Sequence, residues 1–85
     1  MFTSGTLIRA LKSMRAWSND QERGYDGPVI EPGVQALVLQ TWMVGEQVRI
    51  RVMANDAIML FSNAKHTVAL NWEVVSEAKA TPSGT

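Results

Sequence analysis

His66 is the single histidine of an 85-residue chain that contains no cysteine. The residue types that most often carry nucleophilic, acid–base or metal chemistry are therefore nearly absent. A Ser–His–Asp arrangement or a metal cluster built on His66 would have to recruit serine, aspartate or glutamate from scattered loops, and no spacing signal joins them. His66 reads as a loop histidine. Asp20, Glu22, Asp26 and Glu31 offer hard oxygen ligands, but a calcium loop needs acids at fixed offsets around a set glycine. These four acids read instead as a solvated loop. Gly24 and Gly27 do not make a phosphate loop, since no lysine follows and no helix start is indicated. The sequence assigns no catalytic residue, no cofactor and no metal, and the single chain is not expected to be an enzyme.

Binding chemistry is better represented. Arg9, Lys12, Arg15, Arg49 and Arg51 hold five of the eight basic residues and could form a basic strip beside Trp42. Small barrels bind single-stranded nucleic acid by stacking bases on aromatics over a positive groove. The plainer reading of such arginines is that they keep a strand soluble and discourage edge pairing.

These side chains need elements to position them. Residues 34–44, 47–54 and 57–61 are runs of strand formers separated by Gly45-Glu46 and Asn55-Asp56, both suited to two-residue hairpin turns. The pattern predicts a three-stranded antiparallel meander. In the central run Val48, Ile50, Val52 and Ala54 alternate with Gln47, Arg49, Arg51 and Met53, the period of two of a half-buried strand. A two-residue loop at Gly45-Glu46 pairs Met43 with Val48, Thr41 with Ile50 and Leu39 with Val52. It sets Trp42 opposite Arg49 and Gln40 opposite Arg51 on the outer side, with Val38 near Met53. Across the second turn Met53 meets Ile58 and Arg51 meets Leu60. The outer face so defined, Val38, Trp42, Arg49, Arg51, Met53, Ile58 and Leu60, is too apolar for plain solvated surface and is the candidate partner-binding site.

Residues 6–17 admit two descriptions. Leu7, Leu11 and Met14 fit helical spacing with Thr6 as a cap, while the elements that follow favour a first strand. Residues 18–32 carry glycine and proline breaks and four acids and read as a long exposed loop. Residues 62–66 read as a second loop. Val68, Leu70, Trp72 and Val74 then share one parity, and Ala69-Leu70-Asn71 could make a single tight helical turn before a closing strand. The expected core is Leu7, Leu11, Leu37, Leu39, Val48, Ile50, Val52, Phe61, Val68, Leu70 and Val74. The expected organisation is a lead at residues 1–5, one small β-domain at 6–76 and a flexible tail at 77–85.

Composition agrees with a single ordered domain. At 46% hydrophobic and 19% charged residues the chain can form a core and lacks the charge excess of disorder. Eight basic and eight acidic residues cancel, so no overall field draws it to nucleic acid or an anionic membrane. The start lacks the features of a secretory signal, and no apolar run approaches the ~20 residues that span a bilayer. The expected location is the cytoplasm, with no membrane partner.

The order of these elements resembles the small five-stranded barrel of the Src-homology-3-like type. Arg9-Ala10-Leu11 is similar to the first-strand pattern of that fold, Ile30-Glu31-Pro32-Gly33-Val34 to its diverging turn, and Ala69-Leu70-Asn71-Trp72 to its turn into the last strand. The resemblance covers about residues 6–76 and implies an all-β barrel. It departs from the peptide-binding members: Lys12 and Ser13 stand where an aromatic pair would, and no adjacent tryptophans open the second meander strand. Recognition of proline-rich peptides is not implied. Three functional readings result. The first is a non-catalytic protein-interaction module, self-associating as a homo-oligomer through the outer meander face. The second is a nucleic-acid-binding barrel using the basic strip. The third is a small-molecule site formed at an oligomer axis, the one route by which the chain would act as an enzyme.

Overall fold

A computed structural model describes residues 2–17 and 27–77. The calls on Asp20, Glu22, Gly24 and Asp26, and most of the tail from 78 on, lie outside the described residues. Within them the chain is all-β, built on antiparallel pairing. Its elements are β1 (Leu7–Ala10), β2 (Met14–Arg15), β3 (Val29–Ile30), β4 (Gln35–Val44), β5 (Gln47–Ala54) and β6 (Ala57–Ala64). A 3₁₀ turn (Lys65–Thr67), a one-turn helix α1 (Val68–Asn71) and β7 (Trp72–Ser76) complete it. Five strands form one sheet in the order β6-β5-β4-β1-β7, and β2 and β3 make a separate two-stranded ribbon. Residues 6–17 are strand and connection, not the competing helix.

Both hairpin turns stand where the sequence puts them. Asn55 and Asp56 have φ of 51° and 61°, the two successive left-handed residues of a type I′ turn, whose twist matches that of the strands it joins. At the other turn Gly45 has φ 60° and Glu46 does not share the positive φ, the arrangement of a type II′ turn with glycine first. The register follows: Met43 opposes Val48, Thr41 opposes Ile50, Trp42 opposes Arg49 and Gln40 opposes Arg51. Across the second turn Ala54 opposes Ala57, Met53 opposes Ile58, Arg51 opposes Leu60 and Ile50 opposes Phe61.

The predicted register fails at one residue. The β4–β5 ladder shifts between Val38 and Gln40, so that Val38 opposes Val52 and Leu37 opposes Met53. Leu39 is the extra residue of a β-bulge, and beyond a bulge every side chain changes face. Ala36 and Val38 are thereby buried and Leu37 is turned outward, 40% exposed. The bulge is held from outside the meander: the Ser4 hydroxyl donates to the Leu39 carbonyl at 2.9 Å, and the Gly5 N–H donates to the Val38 carbonyl at 2.8 Å. A carbonyl that lost its ladder partner is so satisfied.

The first strand is inverted for a related reason. Ile8 opposes Ala36 on one side and Val74 on the other, which sends Ile8 and Ala10 into the core and leaves Leu11 exposed beyond the end of β1. The core comprises Ile8, Ala10, Ala16, Ile30, Ala36, Val38, Val48, Ile50, Val52, Ala54, Met59, Phe61 and Trp72, with Val68 and others packed against it. Of the predicted core, Val48, Ile50, Val52 and Phe61 are buried. Leu11, Leu37, Leu70 and Val74 are exposed, and Leu7 and Leu39 are half-buried. Leu70 points away because residues 65–71 are helical, so its strand parity with Trp72 does not hold. The expected loop at 62–66 is replaced by the last residues of β6 and the start of the 3₁₀ turn.

The two edge strands of the sheet curl toward each other. Phe61 of β6 meets Trp72 of β7 edge to face, with ring centroids 5.2 Å apart and an interplanar angle of 73°. The Trp72 indole N–H donates to the Asn63 amide oxygen at 2.8 Å. Side chains, rather than a backbone ladder, join β6 to β7.

Candidate interaction face

The outer face of the meander can be built row by row from the register. Isoleucine, methionine and two leucines align in one row across four adjacent strands: Ile58 opposes Met53, Met53 opposes Leu37, and Leu37 opposes Leu7. Ile58 is 48% exposed and Met53 38%, and Leu7 is half-buried. The row exists because the Leu39 bulge turns Leu37 outward and β1 docks with Leu7 on the same side. Beside it, Arg51 donates to the side-chain oxygen of Gln40 and lies over the Trp42 ring, 5.0 Å from its centroid. On its other flank Arg9 and Glu73 form an ion pair at 2.8 Å. This pair is well exposed and so contributes little, on the order of 0–1 kcal/mol.

Further along β5 and β6 the same face is covered. The chain leaving β2 wraps the edge of β6 and places consecutive residues on opposite sides: Ala16 enters the core, while the Trp17 ring sits 4.4 Å from the Arg49 guanidinium. The Trp17 backbone N–H donates to the Leu60 carbonyl at 2.8 Å. Arg49 and Leu60 are buried. Residues 16 and 27–28 are tied together by the Ala16 N–H to Pro28 carbonyl bond at 2.8 Å and the Gly27 N–H to Ala16 carbonyl bond at 3.0 Å. The chains approach so closely that a β-carbon on Gly27 would lie 2.5 Å from the Trp17 carbonyl oxygen.

The seven residues singled out by sequence therefore divide into three groups. Met53 and Ile58 are exposed on the outer face as expected, and Trp42 and Arg51 are half-buried there in a cation–π stack. Arg49 and Leu60 lie on the expected side of the sheet but are buried, Arg49 against the Trp17 ring and Leu60 where the Trp17 backbone bonds its carbonyl. Val38 belongs to the core, displaced from the outer face by the bulge. Leu37, Leu7 and Trp17 are the residues that sequence reasoning missed. A bulge carries no side-chain signature here that would have marked Leu37, and Trp17 reaches Arg49 only through a tertiary crossing.

Of the five basic residues, Arg9, Arg49 and Arg51 share the outer face of the sheet, while Arg15 lies on the separate β2–β3 ribbon. Arg9 is committed to Glu73, Arg15 donates to the Gly27 carbonyl at 3.0 Å, Arg49 is buried, and Lys12 is exposed in the turn beyond β1. Among the described residues no group of three or more histidine, aspartate or glutamate side chains could hold a metal ion, and no helix is long and apolar enough to cross a membrane. No protein-family model, curated protein or solved structure matches the chain.

Proposed function

We propose that this chain is a non-catalytic protein-interaction module that binds a second copy of itself through the outer face of β4, β5 and β6. The observation that carries the reading is the row Ile58, Met53, Leu37 and Leu7, apolar across four strands and open to solvent. Contiguous exposed apolar patches mark partner sites, and interface cores are enriched in methionine and aromatic residues with few acids. Two features favour a second copy as the occupant. The formal net charge of zero sets up no overall repulsion between copies. The row is also self-complementary: a two-fold axis in the interface along the strand direction brings Met53 against the partner's Leu37 and Ile58 against the partner's Leu7, an isologous contact. Arg51 then faces the partner's Gln40 at the polar margin. The framework is read as a Src-homology-3-like barrel, supported by the element order, the diverging turn at Gly33 and the side-chain contacts that bring the edge strands together.

Sedimentation velocity on the intact chain and on Met53→Glu tests the reading. The wild type should exceed its monomer mass of 9.4 kDa as concentration rises, and the variant should sediment as a folded monomer, because a half-exposed Met53 tolerates a carboxylate in the free chain but not in an interface. A wild type that stays monomeric at several hundred micromolar would overturn it.

A further inference from the structure

At the Gly45 end of the sheet a cavity of about 250 Å³ opens on the inner side, lined by Phe2, Met43, Val48, Val68 and Lys65. Its walls come from four separate parts of the chain, each fixed by its own contacts. Val48 is buried in the core and Met43, its cross-strand partner, stands at the rim, 39% exposed. Phe2 packs on the core, and its carbonyl accepts a hydrogen bond from the Thr41 hydroxyl at 2.8 Å. Val68 begins α1 and also packs on the core. Lys65 is the one charged residue of the lining, and its backbone N–H donates to the Glu46 carbonyl at 2.9 Å, which ties the 3₁₀ turn to the β4–β5 hairpin.

We infer that this cavity binds a small apolar carboxylate, its hydrocarbon body against Phe2, Met43, Val48 and Val68 and its head group at the Lys65 ammonium. Four of the five lining residues offer only hydrocarbon, a thioether and an aromatic ring, which select an apolar body. Small-molecule sites combine such walls with very few polar groups that fix orientation. The single cation sets the sign of the head group. The size also follows, since a dry cavity of roughly 150 Å³ takes benzene, so this one takes about ten non-hydrogen atoms. That ligand could be a free medium-chain fatty acid or the C-terminus of a peptide ending in an apolar residue.

The test is a methyl-resolved NMR titration of the intact chain with octanoate, octanol and N-acetyl-leucine. Octanoate or N-acetyl-leucine should shift the Val48, Val68 and Met43 methyl signals and saturate in the range of roughly 0.1–1 mM. Preference for octanoate marks a fatty acid, and preference for N-acetyl-leucine marks a chain terminus. Lys65→Gln should weaken the carboxylate about threefold and leave octanol unchanged, the effect of one solvent-exposed charge pair. Met43→Trp, which fills the mouth from an exposed position, should abolish binding while the spectrum stays that of a folded domain. Failure of both carboxylates to saturate below about 5 mM, roughly fivefold above the top of the expected range, or octanol binding equal to octanoate in the wild type, would overturn the proposal. The site lies on the inner face, so its failure leaves the outer-face contact untouched.

Discussion

Replacing Trp72 with phenylalanine tests whether side chains alone hold the two edge strands together. Trp72 is 2% exposed; its ring meets Phe61 edge to face and its N–H bonds Asn63. Phenylalanine keeps an aromatic pair but removes the donor, which leaves a partly buried amide oxygen unsatisfied at a cost of about 1–2 kcal/mol. It also vacates part of the volume filled by the outer six-membered ring of the indole, adding about 1 kcal/mol. The sum, about 2–3 kcal/mol, is a large share of the roughly 5–10 kcal/mol expected for so small a domain, and corresponds to a fall in Tm of roughly 10–20 °C. Urea unfolding followed by far-ultraviolet circular dichroism measures it, with Asn63→Leu and the double variant completing a cycle. If the indole–amide bond joins the strands, the cycle should show a coupling of about 1 kcal/mol. A loss below about 0.5 kcal/mol for Trp72→Phe, with no coupling, would refute the reasoning.

Changing Asn55 and Asp56 together to valine should cost about 2–4 kcal/mol, because each would hold a β-branched residue at positive φ; thermal melting reads the loss, and Asp56→Gly should raise Tm instead. Gly27→Ala should loosen the pairing of residues 16–17 with 27–28, since the added carbon would meet the Trp17 backbone rather than a side chain that could move; faster amide exchange at Ala16 and at position 27 is the expected result. Arg49→Gln should lower stability by about 1 kcal/mol through loss of the stack on Trp17, as measured by urea unfolding.

Local chemistry made the meander legible. Positive-φ turn residues at Asn55-Asp56, a glycine at 45 and the strict alternation of 47–54 each fix backbone geometry within a few residues, and together they set every pairing from Val44 back to Gln40. The register then failed at Leu39, because the bulge is stabilised by Ser4 and Gly5, distant residues whose approach no local pattern announces. Strand one failed for the same kind of reason: the leucines at 7 and 11 outweigh Ile8, Ala10 and Ala16 in a reading by hydrophobicity, yet pairing with Ala36 and Val74 decides the face. The sequence marks the outer side of β6 as apolar but does not distinguish Leu60 from Ile58. Leu60 is buried where the Trp17 backbone bonds the β6 edge, and Ile58 is left 48% exposed.

The proposed contact is tested most directly by intermolecular nuclear Overhauser effects in a sample mixing isotope-labelled and unlabelled chains. Cross-peaks between chains should join the Met53 methyl to Leu37 and the Ile58 methyls to Leu7. Intermolecular cross-peaks confined to other surfaces, or their absence in a sample whose mass shows a dimer, would contradict it.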